Sequence, residues 1–249
     1  MESSTDAQNT NGRFSIENLT IAANANTVFK AMDYSQENEL VAYAASNTVL
    51  MLDPFHKSVD LKNGDKEFNT PKVLFALNAH TTRVNAVQWI DKNTLVSIGG
   101  DEKAIVVWKR DQEKSAADPS AWTSMQVVKD AHPDTINYLS TYSIANESYF
   151  TTMCSGGVLK LWALDSSEAA NTEFVLKSEL LFGRNLQESS AIFSIGNNTL
   201  LVLIGGYDSK VHVYTQQRGQ SPGDLKYAFS MLGHFNSIKD LAFSARLGP

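Results

Sequence analysis

Short apolar runs of four to eight residues alternate with clusters of Asn, Ser, Asp, Gly and Pro from Phe14 onward. Runs of this length with such boundaries are typical of β-strands, and their close spacing predicts an antiparallel meander. The predicted strands are Asn18–Ala22, Val28–Met32, Leu40–Ala44, Thr48–Leu52, Val73–Leu77, Asn85–Trp89, Thr94–Ile98, Ile105–Lys109, Met125–Lys129, Ile136–Thr141, Tyr149–Met153, Leu159–Ala163, Val175–Leu181, Ala191–Ile195, Leu200–Ile204, Lys210–Tyr214, Leu225–Met231 and Ile238–Phe243.

These strands fall into a repeated unit that starts with a histidine after a small residue and closes on an aromatic residue. The unit runs from His80 to Trp108 and from His132 to Trp162, and a weaker copy without the histidine ends at Tyr214. The closing positions are 54 and 52 residues apart by subtraction, which indicates a repeat architecture. Repeats of short strands usually build a binding surface and seldom an active site.

The polar residues of the first complete unit predict a buried hydrogen-bond relay. A buried indole has one N–H donor and no acceptor, so Trp108 needs an acceptor nearby, and Ser97 on the neighbouring strand can supply it. The Ser97 hydroxyl can donate to one ring nitrogen of His80, whose other nitrogen can donate to a carboxylate such as Asp101. We therefore expect His80, Ser97, Asp101 and Trp108 to form a structural tetrad, with Trp162 and Tyr214 as the closing aromatics of later units.

Composition places the chain among globular proteins. Of its 249 residues, 43% are apolar and 19% are charged, so the chain can bury a core. No apolar run approaches the roughly 20 residues that cross a bilayer, and the polar segment 1–13 is predicted to be a disordered leader without the apolar centre of a signal peptide. The single cysteine, Cys154, excludes an internal disulfide and a Cys-based zinc cluster. An intracellular, soluble protein is expected.

Charge and candidate chemistry exclude several function classes. The net charge of -6, with scattered Lys and Arg, does not favour direct nucleic-acid binding. His80, His132 and His234 share one repeat position, so a structural role is favoured over metal ligation. Cys154 lies on a predicted inner strand without a base beside it and is interpreted as a small core residue. We predict no catalytic, cofactor or metal site, and no cofactor.

These residues carry a family resemblance, since the units resemble the WD40 repeats of β-propellers. The resemblance implies an all-β WD40 β-propeller over residues 14–249, with about four blades and one strand of a fifth in an incomplete ring. Exposed strand edges would then favour aggregation. The match is imperfect, because Asp101 precedes Trp108 by seven residues, one more than the family spacing. Gly156 occupies the acidic position of the next unit, and Asp208 keeps it in the unit that ends at Tyr214.

A closer resemblance is carried by several short motifs in their order along the chain. They are Val41–Ala44, Leu52–Pro54, His80 to Trp108, His132 to Trp162, Leu203–Gly206, Leu232–His234 and Ile238–Phe243. In this order they resemble the amino-terminal part of the Elongator subunit 2 family, which consists of WD40 scaffolds.

That resemblance implies a non-catalytic scaffold that supports 5-position modification of wobble uridine in tRNA. The implied partners are the large scaffold subunit and the catalytic subunit of Elongator, with tRNA contacted only through the complex. No membrane and no small-molecule substrate are expected. The implied localisation is cytoplasmic, with a nuclear pool left open. The alternative is a generic WD40 adaptor, for example a substrate receptor of a ubiquitin ligase.

Overall fold

β-Strands account for nearly all the regular structure in the computed structural model, which describes residues 24–60, 66–144, 147–165, 173–182, 187–196, 199–217 and 224–243. Four sheets of four antiparallel strands follow one another along the chain, which confirms the all-β prediction. The predicted leader 1–13 and the predicted strand Asn18–Ala22 lie outside the described residues.

We name the four sheets blades 1 to 4, and within each blade consecutive strands lie side by side. Blade 1 contains β1 (Met32–Ser35), β2 (Leu40–Ala45), β3 (Thr48–Asp53) and β6 (Lys72–Leu77); blade 2 contains β7 (Val84–Asp91), β8 (Thr94–Gly99), β9 (Ala104–Arg110) and β10 (Trp122–Val128); blade 3 contains β11 (Ile136–Ile144), β12 (Glu147–Cys154), β13 (Val158–Asp165) and β14 (Glu173–Leu181); blade 4 contains β15 (Gln187–Ile195), β16 (Thr199–Gly206), β17 (Val211–Gln217) and β18 (Lys226–Met231).

The apolar cores lie between the blades, which explains why the inner strands read as continuous apolar runs. β8 is buried at every position. Leu95 packs into the cluster shared with blade 1, whereas Val96 and Ile98 pack into the cluster shared with blade 3. A third cluster joins blades 3 and 4 through residues such as Leu161 and Val202. Because alternate side chains of one strand serve two interfaces, each blade holds its neighbours in place.

The first strands of the blades line the axis of the propeller. β1 contacts β7, β7 contacts β11, and β11 contacts β15. The backbone N–H of Val84 donates to the Ser46 carbonyl over 2.9 Å, and that of Ile136 donates to the Gly100 carbonyl over 3.1 Å. β7 and β11 are thus anchored at their starts to a turn of the preceding blade, and we call the face where the first strands begin the upper face. The ring is not closed.

The segment 238–243 continues this pattern but is not a strand. The Ile238 N–H donates to the Gly206 carbonyl over 3.0 Å, and the Phe243 ring stacks on Phe193 with centroids 3.8 Å apart. Gly205 permits this approach, because a Cβ there would lie 2.6 Å from Ile238 Cγ2. The predicted strand Ile238–Phe243 is therefore wrong as secondary structure, since no strand among the described residues pairs with it, although it lies where a fifth blade would begin.

Three further features differ from the sequence prediction. The region predicted as the strand Val28–Met32 is mostly turn, with Lys30 at a φ of 60°, and β1 starts only at Met32. A hairpin of β4 (Lys57–Asp60) and β5 (Lys66–Asn69) lies between β3 and β6, and its polar sequence gave no strand signal. The loop after β9 ends in a 3-10 turn, Pro119–Ala121.

Within the described ranges, no helix has the length and apolarity needed to cross a membrane.

Candidate functional site

The relay of the first complete unit is formed by side chains from blade 2 and the loop before it. The Trp108 indole N–H donates to Ser97 Oγ over 2.9 Å, and Ser97 Oγ lies 2.7 Å from His80 Nε2. His80 Nδ1 contacts the Glu102 carboxylate, which also accepts the Thr81 N–H over 2.7 Å. A Ser97 hydroxyl that donates to Nε2 leaves Nδ1–H to donate to Glu102, so every polar atom of the relay is paired.

Glu102, not Asp101, supplies the carboxylate, so the assignment of Asp101 to the tetrad is corrected. Asp101 instead accepts a hydrogen bond from Thr135 Oγ1 over 3.2 Å at the surface. Glu102 precedes Trp108 by six residues, the same spacing as Asp208 to Tyr214 and Gly156 to Trp162. This constant spacing was the sequence signal that could have identified Glu102.

Burial and pairing shift the pKa values of the relay. Burial lowers the pKa of His80, and this effect outweighs the opposing influence of Glu102. Burial alone would raise the pKa of Glu102, but the hydrogen bonds from Thr81 and His80 prevail and hold it below the usual value. A neutral histidine therefore stands beside an ionised carboxylate near neutral pH.

The order Ser97, His80, Glu102 matches the order of groups in a Ser-His-acid triad, but its surroundings do not suit catalysis. Ser97 is fully buried, and its oxygen already accepts the Trp108 N–H. A nucleophile must reach a substrate carbonyl and needs oxyanion donors beside it. We therefore assign these residues a structural role, in which they tie the loop before blade 2 to its inner strands.

The relay of blade 3 lacks its last member. The Trp162 N–H donates to Thr152 Oγ1 over 2.9 Å, and His132 Nε2 lies 2.7 Å from the same oxygen. His132 Nδ1 is buried and has no hydrogen-bond partner among the described residues, and Gly156 occupies the acidic position. Burial, followed by the nearby charge of Lys160, lowers the pKa of His132 to about 3.

Blade 4 keeps only the closing aromatic and the acid. Tyr214 packs edge-on against Phe182 and Tyr227, with centroids 6.0 and 5.6 Å apart. Asp208 does not reach a loop histidine but pairs with His212 Nε2 over 2.6 Å. Tyr214 thus closes its repeat by packing alone, without the indole donor present in the other two units.

A polar cluster of Lys30, Tyr138 and Asp240 joins three distant parts of the chain. Tyr138, on the first strand of blade 3, donates from its buried hydroxyl to Asp240 Oδ1 over 2.5 Å. The Lys30 ammonium lies 3.2 Å from the same carboxylate and 5.9 Å from the centroid of the Tyr138 ring. Burial would raise the pKa of Asp240, but Tyr138 and Lys30 together lower it. No local pattern in the sequence predicted this cluster.

The remaining candidate chemistry is limited. Cys154 is buried at the end of β12, in agreement with its interpretation as a core residue. His80 and His132 each serve their own relay, and His234 is exposed. Within the part of the chain that the structure describes, no three His, Cys, Asp or Glu side chains are grouped to hold a metal ion.

Two adjoining cavities open on the upper face. The larger, of about 770 Å³, is lined by Asn26, Asn47, Thr81 and Arg83 among others. The second, of about 510 Å³, is lined by Thr27, Val28, Phe29, Asn85 and Asn137, and Thr27 borders both. Unlike the buried relays, these two cavities are open to solvent.

Comparisons with known proteins agree with this architecture. Residues 71–109 match the WD domain, G-beta repeat family. The chain is 25% identical over 236 residues to Elongator complex protein 2 of Drosophila melanogaster, covering 92% of this chain and 27% of that protein. It is 27% identical over 232 residues to Elongator complex protein 2 of Dictyostelium discoideum, covering 83% and 23% respectively. The chain thus spans about a quarter of the length of these relatives.

A solved structure shares the fold. The crystal structure of Saccharomyces cerevisiae Sqt1 superimposes with a TM-score of 0.57 at 14% identity, covering 82% of this chain and 48% of that one. At this identity the similarity concerns the fold alone. The four blades have the fold of a WD40 β-propeller, one WD repeat is matched at residues 71–109, and the sequence over most of the chain resembles Elongator complex protein 2.

Proposed function

We propose that this chain acts as a non-catalytic scaffold in an Elongator complex. The observation that carries the proposal is the similarity to Elongator complex protein 2 across most of the chain in several organisms. The site geometry supports it, because the Ser, His and carboxylate groups of blade 2 are paired with one another inside the fold. Because Ser97 is buried and accepts the Trp108 N–H, these groups hold the loop before blade 2 to its inner strands and are not presented to a substrate.

The proposed partners are the large scaffold subunit and the catalytic subunit of the complex. Through them the chain supports 5-position modification of wobble uridine in tRNA. The net charge of -6 favours indirect contact with tRNA, since a direct contact would require several clustered cations. We place this function in the cytoplasm, with a nuclear pool as a further location.

Affinity purification of the full-length protein from its own cells, followed by mass spectrometry, tests the proposed assembly. The expected result is recovery of the other Elongator subunits. Nucleoside analysis of tRNA after deletion of the gene tests the proposed role, and loss of the modified wobble uridine is expected, with restoration by the wild-type gene as the control. Recovery of ubiquitin-ligase components with intact nucleosides would instead support the generic adaptor and overturn the proposal.

A further inference from the structure

The space that faces the histidine Nδ1 of each relay is filled differently in blades 2 and 3. In blade 2, Gly99 ends β8 opposite Val84, the first residue of β7. A Cβ at Gly99 would overlap Glu102 Oε1, the atom that contacts His80 Nδ1. A side chain at the position of Gly99 would therefore occupy the volume of the relay carboxylate.

In blade 3, Cys154 has the position that Gly99 has in blade 2. Cys154 ends β12 opposite Ile136, the first residue of β11. Gly156 has the position of Glu102, six residues before the closing tryptophan. The glycine and the acid of blade 2 are thus replaced by a cysteine and a glycine, so the Cys154 side chain enters the space that the carboxylate fills in blade 2.

His132 directs a second ligand atom toward the same space. His132 Nε2 lies 2.7 Å from Thr152 Oγ1, and His80 Nε2 lies 2.7 Å from Ser97 Oγ, so the Nδ1 atoms of the two rings face the same part of their blades. His132 is only 3% exposed, and its Nδ1 has no hydrogen-bond partner among the described residues. A buried nitrogen in this state is available to a ligand.

The path from solvent to this space leads over Gly156. This residue is exposed, and a Cβ on it would lie 3.6 Å from Cys154 Sγ and 3.7 Å from Asp134 Oδ2. The Asp134 carboxylate is exposed, and its charge favours a cation over an anion at the entrance. The nearby Lys160 ammonium is paired with the Glu179 carboxylate over 3.3 Å, which offsets its positive charge.

We propose that Cys154 and His132 bind a soft monovalent metal ion of the Cu⁺ class through the cysteine thiolate and Nδ1. Thiolate ligands select Cu⁺ over harder ions. A thiolate and one positive charge form a neutral complex, which suits a buried site. On binding, the thiol releases its proton to solvent, and the neutral imidazole carries its hydrogen on Nε2, where it donates to Thr152 Oγ1.

A divalent zinc ion is the less favoured occupant of this site. Structural zinc sites use four ligands, and no three His, Cys, Asp or Glu side chains in the described part of the chain form a metal-binding group. Zn²⁺ bound to one thiolate and one imidazole would also keep a net positive charge inside the fold. The inference goes beyond the scaffold role and departs from the sequence prediction of no metal site.

Competition for Cu⁺ with the coloured chelator bicinchoninate, under anaerobic reducing conditions, tests the proposal on the intact chain, in which Cys154 is the single cysteine. The chain is expected to withhold one Cu⁺ ion per molecule from the chelator. Cys154→Ser and His132→Gln should each weaken this binding by at least about tenfold, since even the outer-shell partner of a metal ligand contributes that much. Cu⁺ should also raise the thermal melting temperature of the wild type and leave that of Cys154→Ser unchanged.

His234→Gln is the matched control, because His234 follows a small residue at the start of its unit as His132 does, but is exposed. This variant must bind Cu⁺ as the wild type does. Melting without metal verifies that each variant is folded, and Cys154→Ser, which keeps the size of the side chain, carries the test if His132→Gln does not fold.

Three results would overturn the proposal. The first is that the chain withholds no Cu⁺ from the chelator or that Cys154→Ser still does so. The second is that His234→Gln weakens binding as much as His132→Gln, which would show surface binding. The third is that folded His132→Gln binds as the wild type does, which would show that the thiol binds alone. Co-purification is measured separately, so each of these results leaves the scaffold role intact.

Discussion

Acid should destabilise this protein through His132, because the second relay buries this histidine without a partner for Nδ1 among the residues that the structure describes. The pKa of His132 is about 3 in the folded chain, against 6.5 for an unperturbed histidine. Below pH 6.5 the unfolded chain therefore binds a proton that the folded chain does not bind. The contribution of His132 to stability is fully present above pH 6.5 and is lost as the pH falls toward 3. A pH of about 5 lies roughly 1.5 units below the pKa of His132 in the unfolded chain. At about 1.4 kcal/mol per pH unit, the free energy of unfolding is then lower by about 2 kcal/mol.

Urea unfolding followed by tryptophan fluorescence at pH 7 and at pH 5 measures this loss. His132→Gln keeps an amide beside Thr152 but cannot take up a proton. The wild type should therefore lose about 2 kcal/mol more than the variant between the two pH values. Parallel profiles for the wild type and His132→Gln would refute the argument, since His132 would then titrate alike in both states.

Three further substitutions probe the polar groups of the fold, each by urea unfolding at pH 7. Gly156→Asn should exceed Gly156→Ala in stability by about 1–2 kcal/mol, because its amide oxygen can accept a hydrogen bond from His132 Nδ1 without placing a second negative charge beside Asp134. Equal stability would show that the side chain does not reach this nitrogen. Glu102→Ala should lower the free energy of unfolding by about 1–3 kcal/mol, whereas Asp101→Ala should lower it by less than about 0.5 kcal/mol. The reverse order would contradict the assignment of Glu102 to the relay. Tyr138→Phe should lower the free energy of unfolding by about 1–2 kcal/mol, because it removes the hydrogen bond to Asp240. An unchanged free energy of unfolding would argue against that bond.

Most strands were predictable from the sequence because a strand buried on both faces is a continuous run of apolar residues. The predictions Thr94–Ile98 and Leu200–Ile204 fall within β8 and β16, since each segment is apolar and ends in a glycine-containing turn. The hairpin β4–β5 was missed because neither of its strands is a run of apolar residues. Ile238–Phe243 was predicted as a strand because its composition is right, but a strand also needs a hydrogen-bonded neighbour, which the local sequence does not reveal.

The candidate sites were predictable only where a repeat marks them. Ser97 and Trp108 could be paired from their neighbouring positions in one repeat, and a constant spacing of six residues also marks Glu102, although Asp101 was chosen. Gly156 stands where Glu102 stands in the preceding unit, and a glycine has no side chain to accept a hydrogen bond from His132 Nδ1. The sequence repeat alone therefore predicts that this nitrogen lacks its carboxylate partner. The two cavities lined by Arg83 and by Phe29 have no such marker, because their loops belong to different units and carry no repeated motif.

The sequence by itself determined the repeat, the strands and the pairing chemistry inside each blade, because these depend on residues that are close along the chain. Tertiary structure decided which carboxylate meets His80, how Lys30, Tyr138 and Asp240 meet, and which loops enclose the cavities on the upper face. The physical reason is that these contacts depend on the rotation from one blade to the next. Packing between whole sheets fixes that rotation, and no short segment encodes it.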